Sequence, residues 1–314
     1  MSTDCDIMRA MHAIEVSGLV KRYGALVAVD GISFTVERGE VFGLLGPNGA
    51  GKTTTVEVIE GLRKLDDGTV RVLDTDVVRN SKEIKQRIGI QLQTSSLFES
   101  LTAREVLDLF GSFYRKKLPA DELISLLNLQ EKRNSLVKNL SGGQQQRLSV
   151  ALALVNDPEV VFLDEPTTGL DPQARRALWE VIEHLKRRDR AILLTTHQME
   201  EAERLCDRVA IIDHGHILAM GKPRDLVKSN FEEVAIEFEA DGRIDLGSLK
   251  GLEGVSNIRE EEGVVTVYTK EAQGTLAVLL SSAAKGEWQM DNMRVRVATL
   301  EDVFLKLTGR RIRE

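Results

Sequence analysis

Residues 46–53, GPNGAGKT, are a stretch whose residue types and spacing could do chemistry. They fit G-x-x-x-x-G-K-[ST] and lie between a strand-like run, VFGLL, and a helix-like run, TTTVEVIEGL. Glycines leave backbone N–H groups uncovered, so such a loop cradles phosphates, while its lysine reaches the β- and γ-phosphates and its threonine can ligate Mg²⁺. The stretch predicts a nucleoside triphosphate site made of Gly46, Pro47, Asn48, Gly49, Ala50, Gly51, Lys52, Thr53 and Thr54.

Two acidic residues end a second apolar run, VVFLDE (160–165). Four apolar residues predict a buried strand, and α/β sheets bind ligands at the carboxyl ends of their strands. Asp164 is then placed to hold Mg²⁺, directly or through water. Glu165 follows as the carboxylate placed to polarise an attacking water.

The third stretch is LSGGQ (140–144), where Ser141, Gly142 and Gly143 directly precede a strongly helical run from Gln144 to Leu154. Uncovered N–H groups and the positive end of a helix dipole favour an anion here. An ordinary helix N-cap by Ser141 explains the same residues. The stretch alone leaves both interpretations open.

Together the three stretches resemble the ABC-type ATPases, whose signature is LSGGQ upstream of the buried strand and its acids. The resemblance covers residues 13 to about 221, with every core motif in order. It implies that Ser141, Gly142, Gly143 and Gln144 meet the γ-phosphate of an ATP held by a second subunit. Two chains, identical or paired, would then sandwich two ATPs in a two-fold arrangement.

Four further positions match the family pattern. Tyr23, in VKRYG, matches the aromatic residue that stacks on adenine, and Asp171, in TTGLDP, matches the loop that crosses the dimer interface. His197, after AILLTT, matches the histidine that contacts the γ-phosphate and steadies Glu165. Gln93, in IGIQLQ, matches the glutamine that approaches Mg²⁺ and the water; Gln91 competes with it for this role.

The net charge, the cysteine positions and the lengths of the apolar runs argue against several classes of protein. A net charge of -7 argues against a protein that works mainly by binding nucleic acid. Cys5 and Cys206 lie far apart and outside any metal-binding spacing, which favours a reduced compartment. The N-terminus lacks a signal-peptide core and no apolar run reaches about 18 residues, so we expect neither an export signal nor a membrane span.

Alternating strand-like and helix-like runs from residue 13 to 221 predict a mainly parallel sheet with helices on its faces. The segment from Thr102 to Leu127 is apolar at helical spacing, so we expect a helical subdomain inserted into this ATPase domain. Residues 231–309 follow a β-α-β-β-α-β order with a poor helix near Leu246–Leu249 and a closing helix. The predicted fold is an α/β P-loop NTPase of the ABC type plus a small α+β, ferredoxin-like C-terminal domain.

The ending ATLEDVFLKLTGR (298–310) resembles that of drug-resistance ATPase subunits, including daunorubicin exporters. The resemblance implies an ATP-hydrolysing exporter subunit for a drug-like or lipid-like substrate. Its partner would be a separate integral membrane permease of the ABC-2 class. The ATPase chain itself would lie peripherally on the cytoplasmic face of the membrane. The alternative is a soluble ABC-type ATPase that regulates a ribosome or another protein complex without transport.

Overall fold

A computed structural model describes residues 12–92, 97–241, 249–261, 263–285 and 289–309. The chain divides between Pro223 and Arg224 into two compact units. The strands of the first unit are β1 (His12–Tyr23), β2 (Leu26–Glu37), β3 (Val41–Leu45), β4 (Asp67–Val72), β5 (Thr75–Asp76), β6 (Ile88–Gln91), β7 (Val160–Asp164), β8 (Ala191–Thr196), β9 (Arg208–Asp213) and β10 (His216–Gly221).

Helices join these strands, and each prediction of a helix in this unit is confirmed with shifted ends. They are α1 (Lys52–Ile59), α2 (Ser81–Ile84), α3 (Ala103–Gly111), α4 (Ala120–Leu126), α5 (Gly142–Ala153), α6 (Pro172–Lys186), α7 (Met199–Leu205) and α8 (Pro223–Asn230), the last of which begins at the boundary. Across the described part of the chain, none of the helices combines the length and apolar content that a bilayer crossing requires.

The central sheet has the order β10-β9-β3-β8-β7-β6. Its strands pair in parallel except at the β9–β10 hairpin, which confirms the mainly parallel prediction. β3, β7 and β8 are buried along their whole length, as expected for strands covered on both faces. Their carboxyl ends therefore lie along one edge of the sheet, and that edge carries the predicted chemistry.

A second sheet of the first unit, with the order β2-β1-β4-β5, is antiparallel throughout. The expectation of one parallel sheet did not include it. β1, which is twelve residues long, pairs with β2 on one side and with β4 on the other, with several register shifts. Local patterns identify β1 as a strand, but only its long-range pairing decides to which sheet it belongs.

The inserted helical segment lies between β6 and β7 and contains α3 and α4. Thr102 begins α3 with a capping box, because its hydroxyl accepts from the Glu105 N–H while the Glu105 carboxylate accepts from the Thr102 N–H. Pro119 precedes α4 in an extended conformation. The predicted helical subdomain from Thr102 to Leu127 therefore consists of two helices separated by a turn.

The second unit contains β11 (Val234–Asp241), β12 (Val255–Glu261), β13 (Val264–Thr269), α9 (Ala272–Ala284), β14 (Gln289–Arg296) and α10 (Leu300–Thr308). Its sheet order is β12-β13-β11-β14, with all neighbours antiparallel. This is the order of a ferredoxin-like unit. Most of the poor helix predicted near Leu246–Leu249 lies outside the described residues.

Candidate functional site

The phosphate loop joins β3 to α1, and its lysine is buried. Lys52 is 5% exposed and its ammonium donates to the carbonyls of Gly46 (2.8 Å) and Pro47 (3.2 Å). Gly51 has a φ of +103°, and a Cβ there would lie 2.5 Å from the Ala28 carbonyl oxygen. Only glycine fits this turn, because a side chain would collide with the Ala28 carbonyl where α1 starts.

Asp164 ends β7 and is 3% exposed. Burial raises the pKa of its carboxyl, and the neighbouring Glu165 charge adds to the rise, while hydrogen bonds from the hydroxyls of Thr195 and Thr53 oppose it. The contact with Thr53 links the end of β7 to the start of α1. Two of the predicted metal ligands therefore meet in the structure.

Glu165 has a φ of +48°, which is uncommon for a residue with a side chain and is found at functional sites. Its N–H donates to the Thr195 carbonyl (3.1 Å), which holds this turn against β8. One carboxylate oxygen lies 3.6 Å from Lys52 Nζ and 3.2 Å from His197 Nδ1. The strained turn thus aims the carboxylate between a cation and an imidazole.

The charge of Lys52 is balanced inside this cluster. Burial lowers the pKa of Lys52, and the carboxylates of Glu165 and Asp164 partly restore it. The three side chains form a polar cluster at the carboxyl edge of the parallel sheet.

A cavity of 490 Å³ opens beside the phosphate loop. The predicted residues that line it are Tyr23, Asn48, Gly49, Gly51, Lys52, Thr53, Thr54 and Glu165. Gly46, Pro47 and Ala50 form the loop's framework: the Ala50 N–H donates to the Pro47 carbonyl (3.2 Å) and the Gly46 N–H to the Thr196 carbonyl (3.4 Å). The structure therefore brings Tyr23, which is predicted to stack on adenine, and the residues predicted to hold phosphate to one cavity.

Tyr23, which lines this cavity, is 39% exposed. The ammonium of Lys21 and the guanidinium of Arg63 lie 5.5 and 5.6 Å from its ring centroid. Cations at that distance are attracted to an aromatic ring and limit its movement. The two cations thus restrict the orientation of the Tyr23 ring.

Sequence reasoning missed His214, which also lines the cavity. It occupies the β9–β10 turn with a φ of +48°, and the next residue, Gly215, donates its N–H to the Ala50 carbonyl (3.0 Å). The dipeptide His214-Gly215 between two strands signals a hairpin turn. Nothing local, however, indicates that this turn rests on the phosphate loop.

The residues of the third stretch lie together elsewhere in the first unit. Ser141 caps α5 through a capping box: its hydroxyl accepts from the Gln144 N–H (3.3 Å), and the Gln144 side chain accepts from the Ser141 N–H (2.9 Å). A Cβ built on Gly143 would lie 3.2 Å from Ala174 Cβ, next to the Asp171 N-cap of α6. Within the described residues, neither 140–144 nor Asp171 lines the cavity.

Gln93 lies outside the described residues. The competing Gln91 ends β6 at 1% exposure, and its amide nitrogen donates to the carbonyls of Leu92 (2.6 Å) and Asp164 (3.5 Å). Its amide oxygen is buried without a hydrogen-bond partner. Gln91 therefore joins β6 to the end of β7.

Among the described residues, no group of three or more His, Cys, Asp or Glu side chains could hold a metal ion. The Thr53 hydroxyl and the Asp164 carboxylate supply oxygen donors only, at a buried site where negative charge is unfavourable. Mg²⁺ prefers oxygen ligands and is commonly held by one or two protein groups plus substrate phosphates. The donor set fits a magnesium ion that arrives with a nucleotide.

Comparison with known sequences identifies relatives along nearly the whole chain. A sequence profile of the ABC transporter family matches residues 29–168. Nod factor export ATP-binding protein I of Ralstonia nicotianae is 41% identical over 310 residues, covering 96% of this chain and 95% of that protein. The protein of the same name from Rhizobium meliloti is 39% identical over 307 residues, covering 96% and 90%.

Solved structures match about two thirds of the chain. An ATP-binding subunit of an ABC transporter, 31% identical, has a TM-score of 0.63 and covers 69% of this chain and 93% of its own. A dimeric ATP-binding cassette solved in a post-hydrolysis state with ADP and Pi, 25% identical, has a TM-score of 0.61 and covers 67% and 98%. With its phosphate loop, buried acids and nucleotide cavity, the chain belongs to the ATP-binding subunits of ABC transporters and is an ATPase of that family.

Proposed function

We propose that this chain is the ATP-hydrolysing subunit of an exporter, and that two ATPase subunits close around two ATPs. In this arrangement Tyr23 stacks on adenine and the loop 46–54 holds the phosphates. Ser141, Gly142, Gly143 and Gln144 of the opposite subunit complete the γ-phosphate contacts, and Asp171 crosses the interface. The two domains, 13–221 and 231–309, supply the ATPase and an accessory unit.

The proposal rests on the separation of two groups of residues in this chain, the phosphate loop 46–54 and the stretch 140–144. The nucleotide cavity is lined on one side by the phosphate loop, while the residues of 140–144 sit at the N-terminus of α5 without lining it. Gly142 has no atom within 4 Å of a Cβ built on it, so this end of α5 is open to a large ligand. A helix N-terminus with uncovered N–H groups binds a phosphate that approaches from outside. The 25% identical cassette that is dimeric in a post-hydrolysis state with ADP and Pi supports dimerisation of this chain.

The positions of Glu165, His197 and Lys52 support the proposed catalytic roles. Glu165 accepts a proton from the attacking water, and His197, 3.2 Å from its carboxylate, steadies that carboxylate and contacts the γ-phosphate. Lys52 stabilises the charge that develops on the phosphate oxygens. Thr53, Asp164 and Gln93 would hold Mg²⁺, which would supply positive charge against the phosphates.

A cluster of three aromatic side chains supports docking of a membrane partner. Phe98 and Phe113 are 52% and 66% exposed, and each ring lies against Phe110, at centroid distances of 6.3 and 6.1 Å. Large exposed apolar patches mark interaction sites. Since Phe98 follows the Gln93 segment closely and α3 carries Phe110, a partner helix seated here could sense the catalytic glutamine.

The transported substrate and the membrane partner are inferred from the names of relatives and from the C-terminal motif. Relatives at 41% and 39% identity are named for Nod factor export, which supports export as the direction and adds Nod factor to the drug-like or lipid-like candidates. The ending LEDVFLKLTG (300–309), which forms α10, supports an ABC-2 permease as the partner. The chain would then sit peripherally on the cytoplasmic face of the membrane.

A pull-down from detergent-solubilised membranes tests this proposal. The wild-type chain should recover a multi-span protein in near-equal amount, and Phe98→Ser with Phe113→Ser should lose it. Leu218→Ser, which changes an apolar side chain of similar type on β10, 40% exposed, is the matched control and should recover it fully. Recovery of ribosomal or other soluble proteins without an integral protein would contradict export and favour the soluble regulator.

A further inference from the structure

Glu201 is a buried carboxyl near the catalytic cluster to which the reaction assigns no role. It lies in α7, four residues after His197, and is 1% exposed. Carboxyl groups are almost never this buried unless they are paired. The Trp179 indole N–H donates to Glu201 Oε1 (3.2 Å), so α6 holds one of its oxygens.

Two threonine hydroxyls complete its surroundings. Burial raises the pKa of Glu201, while the nearby hydroxyls of Thr196 and Thr167 partly oppose that rise. Thr196 and Thr167 are 2% and 1% exposed, so these contacts are shielded from water. Polar contacts in a water-free interior act more strongly than those at the surface.

These partners belong to the two segments that carry the chemistry. Thr196 ends β8 and directly precedes His197, while Thr167 lies in the turn between Glu165 and Asp171. The Gln198 N–H donates to the Thr196 hydroxyl (2.9 Å), which fixes the start of α7 beside His197. One carboxyl therefore joins the histidine segment to the segment of the catalytic carboxylate.

The Thr167 hydroxyl and the second carboxyl oxygen of Glu201 lack hydrogen-bond partners. Thr167 Oγ1 and Glu201 Oε2 are both buried, and neither makes a hydrogen bond of good geometry. The hydroxyl is nonetheless close enough to affect the pKa of Glu201. Unsatisfied buried polar atoms are unfavourable, so a small shift of the turn 166–170 toward α7 would be stabilised by one new hydrogen bond.

We propose that Glu201 is a positioning residue for ATP hydrolysis. Through Thr196 and Thr167 it sets the separation of His197 from Glu165, and it ties that separation to the loop that carries Asp171. It touches neither nucleotide nor water. The inference rests on the proposed roles of Glu165 and His197, and it explains why a carboxyl is kept in an apolar interior.

The test is steady-state hydrolysis by Glu201→Ala, with turnover normalised to ATP-binding sites. We expect kcat to fall about tenfold or more while the KM and Kd for ATP stay within about twofold, because the cavity lining is untouched. Glu200→Ala is the matched control: it removes the neighbouring carboxylate, whose side chain is 76% exposed, and should keep wild-type kcat. A kcat per binding site within about twofold of wild type in Glu201→Ala would overturn the proposal.

A double-mutant cycle separates positioning from ordinary stability. Thr167→Val removes the hydroxyl at nearly constant volume and should lower kcat about threefold or more alone, yet add little to Glu201→Ala, because both changes break the same link. Additive losses would contradict the link. If Glu201→Ala does not fold, Thr167→Val and Trp179→Phe carry the test, and full turnover in both rejects the proposal. Glu165→Gln reports on the underlying mechanism separately: unchanged hydrolysis there would refute the proposed function itself.

Discussion

Glu60 gives a prediction whose size follows from the structure. It directly follows α1 and is 2% exposed, and neither of its carboxylate oxygens has a hydrogen-bond partner. Burial raises the pKa of this carboxyl to about 8, and the negative charges of Asp164 and Glu57 contribute to the rise. The folded protein therefore keeps a proton on Glu60 at neutral pH.

The sign and magnitude follow from proton linkage. The unfolded chain releases this proton near the ordinary glutamate pKa of 4.5, whereas the folded chain holds it up to a pKa of about 8. Folding stability from this group is therefore complete below pH 4.5 and is lost as pH rises toward 8. At about 1.4 kcal/mol for each unit of pKa, the loss approaches about 5 kcal/mol by the end of this range.

Glu60→Gln keeps the shape and the buried polar group but removes the titration. Urea unfolding of the nucleotide-free protein in EDTA at pH 5, 6.5 and 8 measures the consequence. The free energy of unfolding of the variant, relative to wild type, should rise by about 3 kcal/mol from pH 5 to pH 8. Glu99→Gln, at an exposed carboxylate, is the control. If the pH profiles of Glu60→Gln and wild type run parallel, Glu60 is ionised in the folded state and the reasoning is wrong.

Three other changes test separate parts of the structure. His214→Ala should raise the Kd for ATP by about 3- to 10-fold, equivalent to one lost polar contact, while His216→Ala on the same hairpin should not; equal titration curves would remove His214 from the site. Gly89→Ala should lower the free energy of unfolding by about 3 kcal/mol or more, because its Cβ would lie 1.8 Å from the Ala153 carbonyl oxygen; urea unfolding measures this, and a stable variant would contradict the packing. Ser141→Arg should leave ATP binding by the monomer intact but abolish the ATP-dependent dimer seen by sedimentation; loss of monomer binding would contradict the two-subunit arrangement.

Contacts between recognisable motifs could be predicted from the sequence even where the motifs lie far apart along the chain, and contacts made by residues outside any motif could not. GPNGAGKT and VVFLDE lie at strand ends, so local patterns were enough to predict that Lys52, Asp164 and Glu165 would meet. His214 lies in a turn that touches the phosphate loop only because β9 pairs with β3 in the sheet. Its role in lining the cavity is therefore a property of strand order.

The buried acids show the same limit. Glu60 and Glu201 stand in helix-like runs where an acidic residue is normally solvated, and only the packing of α1 and α7 encloses them. The antiparallel sheet was missed for a related reason, since β1 and β4 are distant in sequence and each is an ordinary strand by itself. The ferredoxin-like order could be predicted because its strands follow one another closely along the chain.

The capping box at the start of α5 restricts which residues could replace Ser141 during evolution. Its hydroxyl oxygen accepts the Gln144 N–H, and a hydroxyl still has a proton to donate. The same atom can thus cap its own helix and, in the proposed dimer, donate to a phosphate oxygen of the neighbouring subunit. Asp or Asn would preserve the cap, but Asp would place a negative charge against the phosphate. Threonine alone among the common capping residues keeps both the acceptor and the hydroxyl donor, so a tolerated-substitution profile at this position should contain Ser and Thr and little else.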